Sequence, residues 1–320
     1  MTDIENILKI GSGGEFEKAA LELFAFQAGH CVPYREYLAA LGVTLADVAR
    51  AEDIPHLPIE LFRSRKVYSG TREAEKIFTS STTGGDIPSK HYIASLDDYR
   101  KTFVEAFSLF YGDPAGWSFY CLLPGYLERE GSSLACMADG LVAQGGGGFF
   151  LNNYEELITR INNDPKKKIL LGVSYALWEL AEKYAPKLDN TVVMETGGMK
   201  GKREELPKEK FHKILEDAFG VSEIHSEYGM AELSSQAYSR GGGSFHTPPW
   251  MRINVRDIND PFSYVPDGNS GGVNITDLAN IYSCAFIQTQ DLGVRYAGGA
   301  FRILGRIDRS QIRGCNLMVE

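Results

Sequence analysis

Apolar residues recur along this chain at two spacings, and the switch between them divides it. Phe16, Ala19, Ala20, Leu23 and Phe24 fall at three- and four-residue intervals within 16–27, which predicts an amphipathic helix. A second short helix follows from Pro33 to Leu41, where Gly42 stops it. Residues 53–62 hold Pro55 and Pro58 too close together for a helix, so this stretch is expected to run extended over a surface. From 74 to about 226, strand-like runs at 76–79, 118–123, 168–173, 191–196 and 222–225 alternate with helical patterns near 96–110, 132–143, 154–163, 175–184 and 207–219. That alternation predicts a mainly parallel, doubly wound α/β sheet. Beyond 226 the texture becomes Gly-rich turns and short alternating strands at 251–256, 272–276, 285–288 and 300–304, a β-rich part. The expected organisation is a helical preface over 1–73, an α/β part over 74–226, a β-rich part over 227–305 and a short tail over 306–320.

Composition narrows the class. The 320 residues carry 33 Lys+Arg against 42 Asp+Glu, a net charge of −9, which argues against a protein that coats nucleic acid or a polybasic membrane-surface protein. With 43% hydrophobic and 23% charged residues the chain reads as an ordinary globular protein with ample core. No apolar run approaches the roughly 18–20 residues that span a bilayer. The start carries acids, Asp3 and Glu5, where a secretory signal carries positive charge, so a cytoplasmic location is expected. Cys31, Cys121, Cys136, Cys284 and Cys315 are odd in number and widely spaced, with no C-x-x-C pair, and read as reduced thiols.

Two segments carry candidate chemistry. Phe78-Thr79-Ser80-Ser81-Thr82-Thr83-Gly84-Gly85 puts four consecutive hydroxyl residues before two glycines after Thr79, between a strand and a helix, with Lys90 close behind. Exposed N–H donors, hydroxyls and a lysine are what a phosphate cradle requires, although the Walker pattern is absent and a plain surface loop has the same composition. The second segment, His225-Ser226-Glu227-Tyr228-Gly229-Met230-Ala231-Glu232-Leu233, follows a strand and combines an aromatic face, a tight-turn glycine and an acid. Tyr228 can stack on a base, and Glu232 suits Mg²⁺ held together with substrate phosphates; a buried turn is the plainer alternative. His225 reads as a wall or core residue, because a carboxylic acid substrate is already ionised near neutral pH and needs no base. Tyr126, Gly145–Gly148, Phe149 and Phe150 fit an acyl pocket or ordinary packing equally.

These segments, followed by Thr289-Gln290-Asp291-Leu292-Gly293 and Phe301-Arg302-Ile303-Leu304-Gly305-Arg306-Ile307-Asp308, stand in the order of the adenylate-forming superfamily. Within it the chain most resembles the LuxE-type acyl-protein synthetases, through Ile54-Pro55-His56-Leu57-Pro58-Ile59-Glu60-Leu61-Phe62, Leu122-Leu123-Pro124-Gly125-Tyr126, Ser132-Ser133-Leu134, Thr196-Gly197-Gly198-Met199 and Arg313-Gly314-Cys315. The resemblance implies the large domain of an adenylate-forming enzyme, mainly parallel α/β sheets plus a β-rich subdomain, with ATP and Mg²⁺ as cofactors. It also implies a carboxylic acid substrate, by family a long-chain fatty acid, and an acyl-accepting protein, acyl carrier protein or coenzyme A as partner. By the same resemblance Ser80, Ser81, Thr82, Thr83, Gly84 and Lys90 hold the β- and γ-phosphates; Gly197, Gly198, Met199, Tyr228 and Gly229 form the adenine slot. Glu232 binds Mg²⁺, Asp291 accepts from the ribose hydroxyls, and Arg306 lies near the ribose and α-phosphate. Ser81 replaces the usual loop glycine, the stretch before Lys90 is longer than is common, and Ala231 replaces a threonine whose hydroxyl would have met phosphate.

The superfamily continues beyond the Gly-Arg hinge into a lid of about a hundred residues that supplies a catalytic lysine. Here fourteen residues follow Arg306 and the last lysine is Lys213, so the lid is expected to be essentially absent. Residues 301–314 hold Arg302, Arg306, Arg309 and Arg313 against Asp308, and a thiol beside guanidinium groups has an enlarged thiolate fraction. Cys315 matches the position at which the resemblance places the acyl-accepting cysteine. Delivery to coenzyme A or an acyl carrier protein with a separate lid, and a non-catalytic nucleotide- or acyl-binding subunit, are the rival readings.

Overall fold

The computed structural model describes residues 3–81, 87–125, 131–198 and 206–307. They form two units, one of residues 1–74 with 249–320 and one of residues 75–248. The chain therefore leaves its first unit and returns to it, which a linear partition into preface and body does not describe.

The first unit opens with helices α1 (Ile4–Leu8), α2 (Gly13–His30) and α3 (Val32–Leu41). Ser12 and Glu15 cap α2 reciprocally, and Gly42, at φ 70°, ends α3 in the left-handed conformation that glycine adopts most cheaply. A two-residue strand β1 (Leu57–Pro58) and the turn of helix α4 (Leu61–Ser64) complete this part. The Pro55–Pro58 stretch is thus short and extended, and it is packed against its neighbours. Ile54, His56 and Leu57 are all buried.

The second unit begins with an antiparallel hairpin of β2 (Lys76–Thr79) and β3 (Lys90–Ile93). Then follow α5 (Leu96–Tyr111), β4 (Trp117–Leu122), α6 (Ser133–Gly145), β5 (Gly147–Phe150), α7 (Tyr154–Asn163) and β6 (Lys167–Val173). The unit ends with α8 (Ser174–Tyr184), β7 (Thr191–Thr196), α9 (Lys208–Phe219), β8 (Ile224–Tyr228) and β9 (Ala237–Ser239). The sheet order is β5-β4-β6-β7-β8-β9, parallel throughout except for β9 at one edge. Central strands buried on both faces account for the continuous apolar run of β6, and helices cover both sides. Tyr111 of α5 meets His225 on one face, whereas Ser174 of α8 and His212 of α9 meet Glu195 on the other. Gly147, at φ 104°, lies so close to β4 that a Cβ would overlap the Phe119 backbone, so only glycine lets β5 join the sheet.

Back in the first unit, β10 (Met251–Arg256), β11 (Ser270–Asp277), β12 (Phe286–Arg295) and β13 (Phe301–Arg306) form an antiparallel sheet, with β1 added in parallel to β12. The amino-terminal helices supply the cover of this sheet: Phe24 and Tyr34 pack their rings on Phe286. No helix of the described residues is long and apolar enough to cross a membrane.

Gln27, fully buried on α2, ties the two chain segments of this unit together. Its Nε2 donates to the carbonyls of Asn280 and Ile281 at 2.8 and 3.0 Å, and its Oε1 accepts from the Ala285 N–H at 2.9 Å. Gln27→Leu fills similar space but strips the Ile281 carbonyl and the Ala285 N–H of their partner, at about 1–3 kcal/mol each before relaxation, while the Asn280 carbonyl keeps the Ser283 N–H. Urea unfolding should show a loss of roughly 3 kcal/mol; a loss near zero would mean that these groups are satisfied without Gln27.

Candidate functional site

The parallel pairing of β7 with β8 sets Thr196 beside Glu227. Gly197-Gly198 and Tyr228-Gly229 therefore emerge side by side from the carboxyl ends of neighbouring strands, the end at which open α/β sheets take up ligands. The strand expected at 222–225 is observed at Ile224–Tyr228, so Tyr228 stands at the strand's end rather than beyond it. Gly197 sits at φ 68° and is exposed, as is Gly198. A Cβ on Gly229 would come within 2.5 Å of Glu227 Oε1, so the glycine makes room for that carboxyl under the turn. The half-buried Tyr228 ring packs on Phe245, centroid to centroid 5.8 Å, and the turn runs on to Glu232, which is only 5% exposed.

Beneath these two turns lie two carboxyl groups that sequence inspection had not singled out. Glu195 faces α8 and α9. It accepts from Ser174 Oγ at 2.9 Å, Ser226 Oγ at 2.7 Å and Lys208 Nζ at 2.8 Å, with His212 Nε2 at 3.4 Å. Burial alone would raise this carboxyl, but Lys208 and His212, with their hydrogen bonds, outweigh it and hold it at about 2. Ser174 Oγ also lies 3.1 Å from the Gly197 carbonyl, and Lys208 Nζ stands 4.6 Å from the Phe245 centroid. One ionic cluster thus supports both the Gly197 turn and the ring behind Tyr228. Glu227 faces the opposite side and accepts from Thr196 Oγ1 at 2.5 Å, with no comparable cation among the described residues; burial pushes it up to about 7.

The described residues of the hydroxyl-rich segment lie at the end of β2, beside the start of β3. Ser80 N–H donates to the Ser89 carbonyl and Ser89 N–H to Ser80 Oγ, at 3.3 and 3.0 Å, which closes the loop at its base. Ser81 and Lys90 are exposed. His91 points to the other face of β3, is buried, and brings Nδ1 within 2.8 Å of the Ala231 carbonyl, in the same turn as Glu232. Burial lowers this imidazole to about 4, so near neutral pH it is uncharged and Nδ1 carries the donated proton. Thr82, Thr83, Gly84, Met199 and Cys315 lie outside the described residues.

Asp291 and Arg306 belong to the other unit, paired across β12 and β13, with Nε 3.5 Å from Oδ1. Asp291 is held from below: its N–H donates to Thr289 Oγ1, and buried Arg256 donates to the carbonyls of Thr289 and Val273. The Arg306 side chain is 69% exposed, so the pair itself stabilises little.

Among the described residues no three His, Cys, Asp or Glu converge as a metal cage. Mg²⁺ needs no such cage, because it keeps waters and phosphate oxygens and takes one or two carboxylates; a single buried acid such as Glu232 suits it. Ser89 Oγ, Gln236 Oε1 and Tyr238 Oη are buried without hydrogen-bond partners among the described residues. Ser89 adjoins Lys90, Gln236 Cγ lies 3.6 Å from the Cβ position of Gly229, and Tyr238 pairs across β9 with Glu227. Unsatisfied buried groups are rare, and here they border the same turns. Cys31, Cys121, Cys136 and Cys284 are free thiols, and burial pushes each of them up.

Glu195, Lys208, His212, Glu227 and His91 escaped the sequence reading because their partners lie 13 to 140 residues away. Only Glu227, inside the Tyr-Gly segment and alternating with Ser226 along a strand, carried a local signal.

A family model described as acyl-protein synthetase, LuxE, matches residues 148–320. No curated protein matches the chain. Among solved structures, 2-hydroxyisobutyryl-CoA ligase in complex with 2-HIB-AMP and CoA is similar with a TM-score of 0.70 at 14% identity, over 92% of this chain and 70% of the ligase. ATP-bound MatB from Rhodopseudomonas palustris gives 0.56 at 16% identity, over 74% of this chain and 50% of MatB. The amide bond synthetase McbA from Marinactinospora thermotolerans gives 0.50 at 18% identity, over 72% of this chain and 49% of McbA. The fold is that of the large domain of adenylate-forming enzymes, mixed α/β with a parallel sheet, as the motif order implied.

The two buried carboxyls predict opposite pH behaviour. Glu195, lowered from 4.5, contributes stability above that value which is lost as pH falls toward 2. Glu227, raised from 4.5 to about 7, binds a proton more tightly folded than unfolded, so stability falls as pH rises through that window. Glu227→Gln should therefore leave the urea midpoint nearly unchanged at pH 4 and raise stability by about 3 kcal/mol at pH 8. An equal effect at both pH values would refute the raised carboxyl.

Proposed function

This chain belongs to the LuxE acyl-protein synthetase family, and we propose that it activates a carboxylic acid with ATP and passes the acyl group to a thiol. One observation carries the reading. Gly197-Gly198, Tyr228-Gly229 and Glu232 gather at the carboxyl ends of β7 and β8, and His91 ties the hairpin bearing Ser80, Ser81 and Lys90 to that turn.

In this reading the adenine ring lies between the Gly197-Gly198-Met199 backbone and the Tyr228 face, with Gly229 admitting the turn. Ser80, Ser81, Thr82, Thr83 and Gly84 offer hydroxyl and N–H donors to the β- and γ-phosphates, and Lys90 adds a cation. Asp291 accepts from the ribose hydroxyls; Arg306 neutralises charge at the α-phosphate. Glu232 would hold Mg²⁺, which when bound offsets the charge of the phosphates. The acid's carboxylate oxygen attacks the α-phosphorus, the bond from that phosphorus to the bridging oxygen breaks, and pyrophosphate leaves. A thiolate then attacks the acyl carbonyl and AMP leaves. Burial makes the four described cysteines poor thiolates, which favours Cys315, flanked in sequence by Arg309 and Arg313. The acid is by family a fatty one, and the acceptor beyond Cys315 is a partner protein in the cytoplasm.

Carboxylate-dependent exchange of pyrophosphate into ATP tests the first half. Silence across aliphatic and aromatic acids of every chain length would sink it, and Glu232→Gln should lower exchange about a hundredfold. Cys315→Ser should abolish hydroxylamine-labile acyl labelling yet retain exchange; labelling that persists assigns the acceptor elsewhere. Adding coenzyme A or an acyl carrier protein separately distinguishes self-acylation from release to a soluble thiol.

A further inference from the structure

We propose that His91 is a positioning residue that holds the phosphate hairpin and the Glu232 turn as one platform. The inference rests on the proposed function for its kinetic consequence but on geometry for its origin. Strand β3 alternates Lys90 outward with His91 inward, so one strand delivers a cation to solvent and a buried donor to Ala231. The donor and acceptor are 140 residues apart, which makes this a long-range strut rather than a local turn.

The hairpin is also held through β2. It forms a two-stranded sheet of its own, with Thr79 N–H donating to the Gly131 carbonyl at 2.8 Å and Phe78 packed on Tyr99. His91 is the contact that reaches Ala231, next to Glu232. The acceptor explains the choice of group. The backbone carbonyl of residue 231 is what the turn offers whatever its side chain, and an imidazole N–H on Nδ1 satisfies it out of water. Phosphoryl chemistry depends on positioning, so an unanchored turn would move an acid relative to Lys90 without removing either charge.

His91→Leu keeps much of the volume and removes the donor, whereas His91→Asn keeps an amide N–H near the position of Nδ1. The leucine variant should raise the KM for ATP, assayed with Mg²⁺, about tenfold, and leave the KM for the acid unchanged. The asparagine variant should recover most of that loss. Hydrogen exchange on the nucleotide-free protein supplies a second reading: amides over 229–233 should exchange faster in His91→Leu and not in His91→Asn. Unchanged exchange over 229–233 in the leucine variant, or equal impairment of both variants, overturns the strut. Absence of any carboxylate-dependent exchange in the unaltered protein overturns the proposed function instead, and leaves the amide measurement to decide the strut.

Discussion

The register between β7 and β8 is the constraint from which the candidate site follows. Pairing Thr196 with Glu227 in parallel strands brings two turns out together, and strand alternation then assigns every polar side chain to a face. Glu195 and Ser226 must look toward α8 and α9; Thr196 and Glu227 must look the other way. A slip of one residue would exchange those faces, taking Glu195 away from Lys208 and His212 and leaving a charge buried alone. Register is thus enforced by electrostatics as well as by the apolar pattern of the sheet.

The asymmetry between the two acids follows. Lys208, His212, Ser174 and Ser226 keep Glu195 ionised, and that negative charge lies one position along the sheet from Glu227. Burial, with this charge adding to it, biases Glu227 toward its neutral form. A neutral acid can still accept from Thr196 without demanding a cation. The arrangement places one firm anion on the face of the helices and, beneath Gly229, a carboxyl that carries less than a full charge near neutral pH, so the sheet's end stays polar with less negative charge than two ionised acids would bring.

Much of the architecture was legible in the residues. Continuous apolar runs and period-3.6 patterns identified β4, β6, β7 and the helices between them, because central parallel strands are apolar on both faces and surface helices are not. The signal failed where pairing, rather than hydropathy, makes the strand. Lys90–Ile93 is a strand only because it pairs with Lys76–Thr79, and Gly147–Phe150 only because glycines let it approach β4. The site divides in the same way. Tyr228, Gly229 and Glu232 are recognisable because a loop must carry them in one short run. Glu195, Lys208 and His91 look like ordinary helix, strand and core residues until folding brings their partners to them. The return of the chain to its first unit was equally hidden, since the contacts of Gln27 lie more than 250 residues away.

The substitution of alanine for the usual threonine at position 231 looks at first like a loss of function. Its carbonyl changes that view. Any residue at 231 would present the same acceptor, so the anchoring of the turn is independent of the side chain there and is written instead at position 91, on another element. In the proposed site the missing hydroxyl would remove one donor to a phosphate; the backbone bond links the turn of Glu232 to the strand that carries Lys90. Those are separable contributions, and a positioned charge retains its effect on a developing phosphoryl charge when a single neutral donor is gone. In the proposed function, the departure from the family pattern would therefore bear on how strongly phosphates are held more than on whether the platform exists.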